Sequence, residues 1–491
     1  MKKILMFLIV TIVFLSAVLL LRAQSVFENK QYQVHQPLVP AVLDEDGAIK
    51  RFVRAIQIPT ISFDDRSQFD HQAFSDFHQH LASAFPLVHQ RAVQTKIKQY
   101  SLIYHLKGSA PDLKPALFMG HMDVVPVDEN TLGQWQYLPF GAEVVDGTIW
   151  GRGTIDDKVS VLALMEAMEL LLKQGIEPKR SVYFAFGHDE EVLGEGAVAI
   201  AEYFSQQKLQ FEFVLDEGGV VTEGIIPGAS QAVALIGVAE KGFVNFRLRV
   251  NGEGGHSSQP PEHSAAGVLA QALVKVENNQ FPSTLDYSKQ MLDTIAYSMP
   301  LSLRLPMANL WLFSPLVESV LLAKPSTAAS LRTTTAVTML QGSNKSNVLP
   351  TQASAVVNFR ILPGDTIATV QAHLERIIDD PRVQLESFMG TEPSPVSSTS
   401  SYGFKLIEQT IRRLDKNVLV APYLVLGATD ARHFYPLSDN VYRFMMVRLT
   451  PETLKGFHGI NEKIMVKDYL QAIQFYYAML KQAVEGQSIH Q

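Results

Sequence analysis

The stretch ALFMGHMDVVPV at residues 116–127 decides the fold class, because an apolar run there ends in Gly120 and is followed at once by His121 and Asp123. Such a run is typical of a buried strand. Ligands often bind at the carboxyl ends of the strands of parallel sheets. Because residues two apart in an extended segment share a face, Asp123 can orient the imidazole of His121. The stretch therefore predicts a strand that carries polar side chains to a sheet edge.

Two further apolar runs, at residues 182–186 and 211–215, also read as buried strands. Before the first of them lies the segment 159–173, whose apolar side chains recur at helical spacing, with Gly175 as a stop signal. Alternation of strands and helices is typical of a parallel sheet covered by helices. Residues 43–238 are therefore predicted to form an α/β domain, a mainly parallel sheet flanked by helices.

The pattern changes after this domain, where alternating apolar residues over 243–250 predict a strand of a more exposed sheet. Another strand is predicted over 353–361, and the PGD turn at 363–365 marks the exit. The sequence thus predicts a second, α+β domain over 239–362. It is inserted into the first domain, which resumes over 363–486.

A long apolar stretch flanked by prolines, residues 307–323, lies inside this second domain. We interpret it as a helix that covers the second domain. A second membrane span is the alternative interpretation, against which the polar side chains of Asn309 and Glu318 count.

Residues 1–24 contain an almost unbroken apolar run from position 4 to 21, which follows two lysines and ends at Arg22. This pattern predicts either a signal peptide or a membrane anchor. The LRA sequence at 21–23 is a poor cleavage site, which favours an uncleaved anchor. In both interpretations the chain is exported and the residues that follow lie outside the cytoplasm.

The composition restricts the function further. The chain has 491 residues, of which 47% are hydrophobic and 19% charged, and its formal net charge is −7. It carries no lysine- and arginine-rich block of the kind that binds nucleic acid, so small molecules or peptides are the expected partners. The chain has no cysteine, so histidine and carboxylate are the strong zinc ligands that it can offer.

Carboxylates follow glycine-rich turns or buried strands in three further segments: WGRGTIDDK at 150–158, VYFAFGHDEEVLGEGA at 182–197 and FEFVLDEGG at 211–219. Each alone is explained as a helix cap or a solvated loop. Together with His121 they give three apolar strands that end in histidine or carboxylate, which is hard to attribute to chance. At one sheet edge such groups can supply metal ligands and a general base.

Five motifs in order resemble the di-zinc metallopeptidase family of aminoacylases and glutamate carboxypeptidases: GHMD at 120–123, GRGTIDDK at 151–158, DEE at 189–191, LDEG at 215–218 and FHGINE at 457–462. The likeness extends over nearly the whole chain after the N-terminal segment. Within the family, LRTTTAV at 331–337 and the stretch 347–366 are similar to the branch of Gly-X carboxypeptidases and N-fatty-acyl-amino-acid hydrolases.

The resemblance implies two zinc ions per subunit, with these metal ligands: His121 and Asp216 for one ion, Glu191 and His458 for the other, and Asp156 as the bridge. It also implies that Asp123 holds His121 and that Glu190 is the general base. The peptide bond between Asp156 and Asp157 is expected to be cis.

The resemblance further implies a substrate-binding set outside the metal centre. His256, in the glycine-rich turn GEGGHSSQPP at 252–261, would donate to an oxyanion, often that of a partner subunit, so a homodimer is expected. Asn347 and Arg360 would bind the substrate's carboxylate. The loop LGATDARHF at 426–434, with Gly427 and Thr429, would complete the pocket, although Ala428 stands where the family more often has glycine.

These features predict a zinc-dependent carboxypeptidase or N-acyl-amino-acid amidohydrolase, acting on a substrate with a free carboxylate. The inserted domain would serve as a lid or dimerisation domain. A desuccinylase or an aminotripeptidase of the same family is the alternative within the enzymes. A membrane-tethered binding protein without catalysis is the alternative outside them, but every expected ligand and the base are present.

Overall fold

The computed structural model describes residues 1–486. Its α-helices are α1 (Lys2–Ser25), α2 (Glu45–Ile56), α3 (His71–Ala84), α4 (Pro86–Arg91), α5 (Lys158–Lys173), α6 (Gly196–Gln206), α7 (Ala265–Asn278), α8 (Asp286–Ile295), α9 (Leu301–Ala308), α10 (Leu310–Leu322), α11 (Pro325–Ala328), α12 (Ile367–Ile378), α13 (Tyr402–Leu414) and α14 (Val466–Glu485). Its strands are β1 (Val93–Ile97), β2 (Ser101–Leu106), β3 (Ala116–His121), β4 (Val144–Val145), β5 (Thr148–Trp150), β6 (Val182–Gly187), β7 (Phe213–Asp216), β8 (Val221–Thr222), β9 (Val233–Glu240), β10 (Gly242–Asn251), β11 (Gly255–His256), β12 (Thr334–Gln341), β13 (Val348–Leu349), β14 (Gln352–Ile361), β15 (Val383–Thr391), β16 (Leu419–Val425), β17 (Val441–Arg443), β18 (Arg448–Leu449) and β19 (Lys463–Met465).

A large ten-stranded sheet carries the order β1-β2-β6-β3-β7-β17-β9-β8-β18, and β16 pairs with β9 beside that path. The neighbours β6, β3 and β7 run parallel, as do β7 with β17 and β9 with β16. Antiparallel pairs join β1, β2 and β6 at one side. Because β3, β6 and β7 are parallel neighbours, their carboxyl ends meet at one edge of the sheet.

The three central strands are apolar on both faces because helices cover both faces. Every residue of β3, β6 and β7 is buried. Helices α5 and α14 pack together on one face, and α6 packs on the other through Ile200 and Phe204. The predicted mainly parallel sheet with flanking helices is confirmed, and the helix predicted over 159–173 is α5.

A second sheet, in the order β12-β14-β10-β15, is antiparallel throughout, and α7 and α12 cover one of its faces. Both α12 and β15 follow residue 362, where the sequence predicted the exit from this unit. The second sheet therefore extends beyond that predicted boundary. The PGD turn at 363–365 leads into α12 and not back to the large sheet, since Thr366 caps that helix.

The segment before β12 packs on the large sheet. Ile295 and Met299, near the end of α8, join a cluster with Leu235 of β9 and Leu419 of β16, and Met307 lies against it. The interpretation of residues 307–323 as a helix covering the second domain is therefore wrong. The stretch is helical, but its apolar side chains have no contact face on the second sheet's core, which α7 and α12 already fill.

Two parts of the described chain have the length and composition of membrane segments. Helix α1 is long and apolar enough to cross a bilayer. Helices α9 and α10 reach that length only together, and they are bent by 119° at the break between them.

Candidate metal and catalytic site

The carboxyl ends of β3, β6 and β7 bring the predicted residues to one place. His121 is the last residue of β3, and Asp216 is the last residue of β7. Glu190 and Glu191 form a short 3-10 helix just after β6. The FHGINE segment reaches the same edge from the far end of the chain, with His458 in the left-handed region at φ 55°.

The carboxylate of Asp156 lies between two imidazoles. Its Oδ1 is 2.9 Å from Nε2 of His121, and its Oδ2 is 2.7 Å from Nε2 of His458. Asp156 and His121 are both buried. The peptide bond between Asp156 and Asp157 is cis, as predicted from the resemblance. One carboxylate that presents a different oxygen to each of two histidines has the arrangement of a bridging metal ligand.

Asp123 fixes the orientation of His121. Its main-chain oxygen lies 3.0 Å from Nδ1 of His121, and its carboxylate Oδ1 lies 3.3 Å from the same nitrogen. The two carboxylate oxygens also accept hydrogen bonds from the backbone amides of Glu190 and Glu191, each at 3.2 Å. Asp123 thus ties the end of β3 to the loop after β6, and it leaves Nε2 of His121 free to face Asp156.

The two neighbouring glutamates have different surroundings. Oε2 of Glu191 lies 3.1 Å from Nε2 of His458. Its Oε1 is buried and has no hydrogen-bond partner within residues 1–486. Glu190 is also buried, and burial, despite the nearby His121, raises the pKa of its carboxyl group well above the usual range. An unsatisfied buried carboxylate oxygen indicates a missing cation or donor.

Glu217, the residue directly after β7, belongs to the cluster and is adjacent to the predicted ligand Asp216. His121, Asp156 and Glu217 each offer a ligand atom within 4.8 Å of the others, and so do Asp156, Glu191 and His458. The carboxylate of Asp216 instead accepts a hydrogen bond of 2.8 Å from the backbone amide of Ala431. The LDEG motif contains both acids, and residues one apart on a strand point to opposite sides, so the motif alone leaves the choice between them open.

Buried acids accumulate around this centre. Burial raises the pKa of Glu217 well above its usual range, and it raises the pKa of Glu191 to about 7 and that of Asp430 to about 8. Neighbouring carboxylates, among them Asp156 and Asp216, add to these increases. Such a concentration of carboxylates at a dry sheet edge is stabilised by cations and is costly without them.

Glu462 supports the site although no role was predicted for it. Its Oε1 accepts hydrogen bonds from the backbone amides of Ile155 (2.8 Å) and Asp156 (3.3 Å), and its Oε2 lies 2.6 Å from Nη1 of Arg152. The carboxylate is fully buried. It therefore fastens the FHGINE segment to the glycine-rich turn that presents Asp156. The FHGINE motif contained this residue, but nothing in its spacing distinguished a structural acid from a ligand.

The predicted substrate-binding residues of the inserted unit lie on the second sheet and on or next to the short β11–β13 pair. His256 is exposed, with Nδ1 at 2.7 Å from Oγ of Ser258, and the strand that carries it pairs with β13 next to Asn347. Arg360 is exposed on β14, and its guanidinium lies 5.6 Å from the ring centroid of Phe243. His256 and Asn347 are thus brought together.

The glycine-rich loop after β16 is joined to the large sheet through a buried ion pair. Thr429 donates hydrogen bonds to Oε2 of Glu240 from both its amide and its hydroxyl, each at 3.0 Å, and Nε of Arg443 lies 3.0 Å from the same oxygen. Gly427 is exposed at the loop's tip. Glu240 and Arg443 were not predicted, since a lone acid at a strand end and a lone arginine carry no signal in sequence.

This fold and this cluster define a class of protein: metal-dependent hydrolases in which an α/β sheet carries histidines and carboxylates at its edge. The chain belongs to Peptidase family M20/M25/M40, whose profile matches residues 117–482. It is therefore a metal-dependent hydrolase of that family, as the sequence motifs predicted.

Relatives and solved structures agree with this family. The chain is 42% identical over 438 residues to probable carboxypeptidase S-like 2 of Dictyostelium discoideum, covering 88% of this chain and 84% of the relative. It is 37% identical over 440 residues to the N-fatty-acyl-amino acid synthase/hydrolase PM20D1.1 of Danio rerio, with 88% and 85% covered. The M20 family metallo-carboxypeptidase Sso-CP2 of Sulfolobus solfataricus has the same fold, with a TM-score of 0.66 at 18% identity, covering 89% of this chain and 99% of that one.

Proposed function

We propose that this protein hydrolyses the amide bond between an acyl or peptidyl group and an amino acid that carries a free carboxylate, with two zinc ions. The observation that carries the proposal is the Asp156 carboxylate, which faces His121 with one oxygen and His458 with the other. The names of the relatives, carboxypeptidase and N-fatty-acyl-amino acid hydrolase, support this choice of substrate class.

The donor set of the site fits two zinc ions. His121, Asp156 and Glu217 would hold one ion, and Asp156, Glu191 and His458 would hold the other. All six donor atoms are nitrogen or oxygen, and the chain has no cysteine. Zinc binds histidine and carboxylate at short distances, and the orphaned Oε1 of Glu191 would gain a partner. In this assignment Glu217 replaces Asp216, whose carboxylate is engaged with the amide of Ala431.

When bound, the two cations would polarise the scissile carbonyl and acidify an attacking water. Glu190 is the residue that accepts this water's proton and hands it to the leaving nitrogen. Its position supports the role, because it lies in the buried centre beside Glu191 and Asp430, where burial keeps its carboxyl group ready to hold a proton. Asp123 keeps His121 and the Glu190 loop in place through the hydrogen bonds described above.

Residues of the inserted unit would select and polarise the substrate. Arg360 and Asn347 would bind its carboxylate, and His256 would donate a hydrogen bond to the oxyanion. Gly427 and Thr429 would line the pocket, with Thr429 held by Glu240. His256 is exposed in the single chain, so we further propose that it completes the site of a second subunit in a homodimer.

The apolar helix α1 is compatible with a signal peptide or an anchor. We propose that it is retained as an anchor and that the catalytic part lies outside the cytoplasm. Arg22, near its end, supports retention, since its side chain contacts the folded body at Ala308 and Asn309.

A panel of N-acyl amino acids and dipeptides, assayed with the purified full chain, tests the proposal. We expect two zinc ions per chain by elemental analysis, loss of turnover after chelation, and its return with added zinc. The matched control substrate has its carboxylate converted to an amide, and we expect it to be turned over poorly. Equal turnover of the acid and the amide would contradict the proposed substrate class.

A pair of variants tests the ligand assignment. Glu217→Gln removes a carboxylate oxygen from the cluster, so we expect weaker binding of one of the two metal ions. Asp216→Asn is the matched control, because an amide oxygen can still accept the hydrogen bond from Ala431, and we expect it to retain both ions. Loss of a metal ion from the Asp216 variant alone would return the ligand role to Asp216.

A further inference from the structure

Helix α10 is apolar on nearly every side and exposes several of its apolar side chains. Each of its residues is exposed or half-buried, and Leu312, Leu316 and Val320, spaced at i, i+4 and i+8, have exposed fractions of 42%, 56% and 61%. Glu318, on the opposite face, accepts a hydrogen bond of 3.1 Å from the hydroxyl of Ser283. The helix therefore turns its one charged side chain toward the protein and exposes Leu312, Leu316 and Val320, which is unfavourable for a surface in water.

The same helix pair is attached to the end of α1. The Arg22 guanidinium donates hydrogen bonds to the main-chain oxygen of Ala308 and to Oδ1 of Asn309, both at 3.1 Å. Asn309 in turn donates a bond of 3.1 Å to the main-chain oxygen of Leu19, and it is fully buried. The break between α9 and α10 thus lies against the last turns of α1, while residues 2–17 of α1 are exposed.

We propose that α9 and α10 form a membrane-docking surface that lies in the outer leaflet of the bilayer that α1 crosses. The 24 residues of α1 give a length of about 36 Å, enough for a hydrocarbon core of about 30 Å. The 13 residues of α10 give only about 20 Å, and the 119° bend prevents the pair from continuing as one straight span. A short helix with exposed apolar side chains can lie at the membrane interface instead.

The surroundings of the break match the headgroup level of a membrane. A cavity of about 210 Å³ lies between the end of α1 and the helix pair, and it is lined by Arg22, Lys30, Lys289 and Trp311 among others. The acids Glu28 and Asp293 also line it, and Asp293 pairs with Lys289. Tryptophan and long cationic side chains are enriched at this depth, where an apolar body and a polar tip are both satisfied.

The bilayer is favoured over a second protein copy because the break between α9 and α10 is held against the last turns of α1, the helix that is long and apolar enough to cross a membrane. A bilayer crossed by α1 would therefore lie beside this break. The chain's own body contacts the helix pair through Met307 and Glu318. Lipid would cover exposed side chains of both α1 and α10.

Site-directed spin labelling of the full chain in phosphatidylcholine vesicles tests this docking. The chain has no cysteine, so single variants can be labelled without other changes. Leu316→Cys reports on α10, and Val274→Cys, at a site 59% exposed on α7, is the matched control in water. Ile12→Cys in α1 provides the reference accessibility ratio for a label that is exposed to lipid. The measurement is the ratio of accessibility to oxygen, which concentrates in lipid, and to a water-soluble nickel chelate.

We expect the label at position 316 to show a ratio shifted several-fold from that at position 274 toward the value at position 12. A ratio equal to that at position 274 would overturn the proposal, since α10 would then lie in water. Shielding from both reagents, with dipolar broadening between labels, would also overturn it and assign the face to a second copy. Neither reading depends on activity, so this proposal and the proposed function fail independently.

Discussion

The sheet edge and the helix pair α9–α10 depart from the usual distribution of polarity in opposite ways. The sheet edge buries acids: Asp123 is fully buried, and Asp156, Glu190 and Glu217 are nearly so. The helix pair exposes leucines at the surface. Both arrangements cost free energy in water by themselves.

The comparison teaches that each exception identifies the chemistry that compensates for it. By the two proposals above, metal ions compensate for the buried carboxylates, and lipid compensates for the exposed leucines. Arg443, which pairs with Glu240 in the same sheet, shows the ordinary protein solution to a buried acid. The carboxylate of Asp156 is instead faced by two histidines, His121 and His458.

The largest expected effect is a loss of turnover that distinguishes the role of Glu190 from that of its neighbour Glu191. Glu190→Gln should retain both metal ions and lose about 10²–10⁴-fold in kcat, because an amide cannot accept a proton. Glu191→Gln is the control, since it removes a group that lies 3.1 Å from His458, and it should lose metal. Turnover and metal content are measured on the same preparations. Equal metal loss in both variants would show that the two roles are assigned wrongly.

The next effect tests whether the inserted unit completes the site of a partner subunit. His256→Ala should cost about 10²–10³-fold in kcat, as the removal of one oxyanion donor does. Mixed with Glu190→Gln chains, it should regain activity, because heterodimers then hold one site with both wild-type residues.

Residues 282–330 of the inserted unit bear on this test because they could supply the donor within one chain, and their helix α8 packs on the large sheet through Ile295. Subunit exchange is monitored with two differently tagged chains. If exchange occurs and the mixture stays as inactive as its parents, His256 acts within its own chain.

A smaller effect concerns the hydrogen bonds behind His121. Asp123→Asn keeps the shape of the side chain but has one oxygen where Asp123 has two. The variant therefore cannot accept hydrogen bonds from both backbone amides, at Glu190 and Glu191, and also present a carboxylate to Nδ1 of His121. We expect zinc affinity to fall about 10–100-fold, the usual cost of changing a group that orients a metal ligand. Competition with a fluorescent zinc chelator measures the change. Unaltered affinity would mean that the main-chain oxygen of Asp123 suffices to hold the ring.

The smallest expected effect is the change in turnover for each methylene added to an N-acyl substrate, and it links the sheet edge with the helix pair α9–α10. We expect kcat/KM to rise with the length of an N-acyl chain, by up to about 0.8 kcal/mol or fourfold for each methylene that becomes buried. Acetyl to dodecanoyl substrates are compared with and without vesicles. A rise in both conditions assigns the preference to a pocket, and a rise with vesicles alone assigns it to the docked surface. A kcat/KM that does not change with acyl length, either with or without vesicles, would reject the expected preference for long acyl chains.

The strands of the site were predictable because their apolar runs are short and end in polar residues. The sequence placed β3, β6 and α5 within a few residues, and the five motifs gave most members of the cluster. The acid that this part of the chain contributes to the cluster could not be chosen in the same way, because LDEG offers two adjacent acids, Asp216 at the end of β7 and Glu217 directly after it.

The limits of the inserted unit were harder to predict because a PGD turn looks the same inside a domain as at its end. Only the pairing of β15 with β10, more than 130 residues apart, shows to which sheet the following segment belongs. The location of residues 307–323 failed for a similar reason. Apolar periodicity predicts that a helix has a partner surface, but it does not identify that surface.

The bridge between Asp156 and His458 joins positions 302 residues apart in the chain. The cluster is therefore complete only when the segment that carries His458 has docked at the sheet edge. The proposed zinc ions would also link these two distant parts of the chain and so stabilise the tertiary structure. An ion that binds only the docked state favours that state by mass action, so removal of the proposed zinc ions should first loosen residues 458–462, while α14 stays packed in the core.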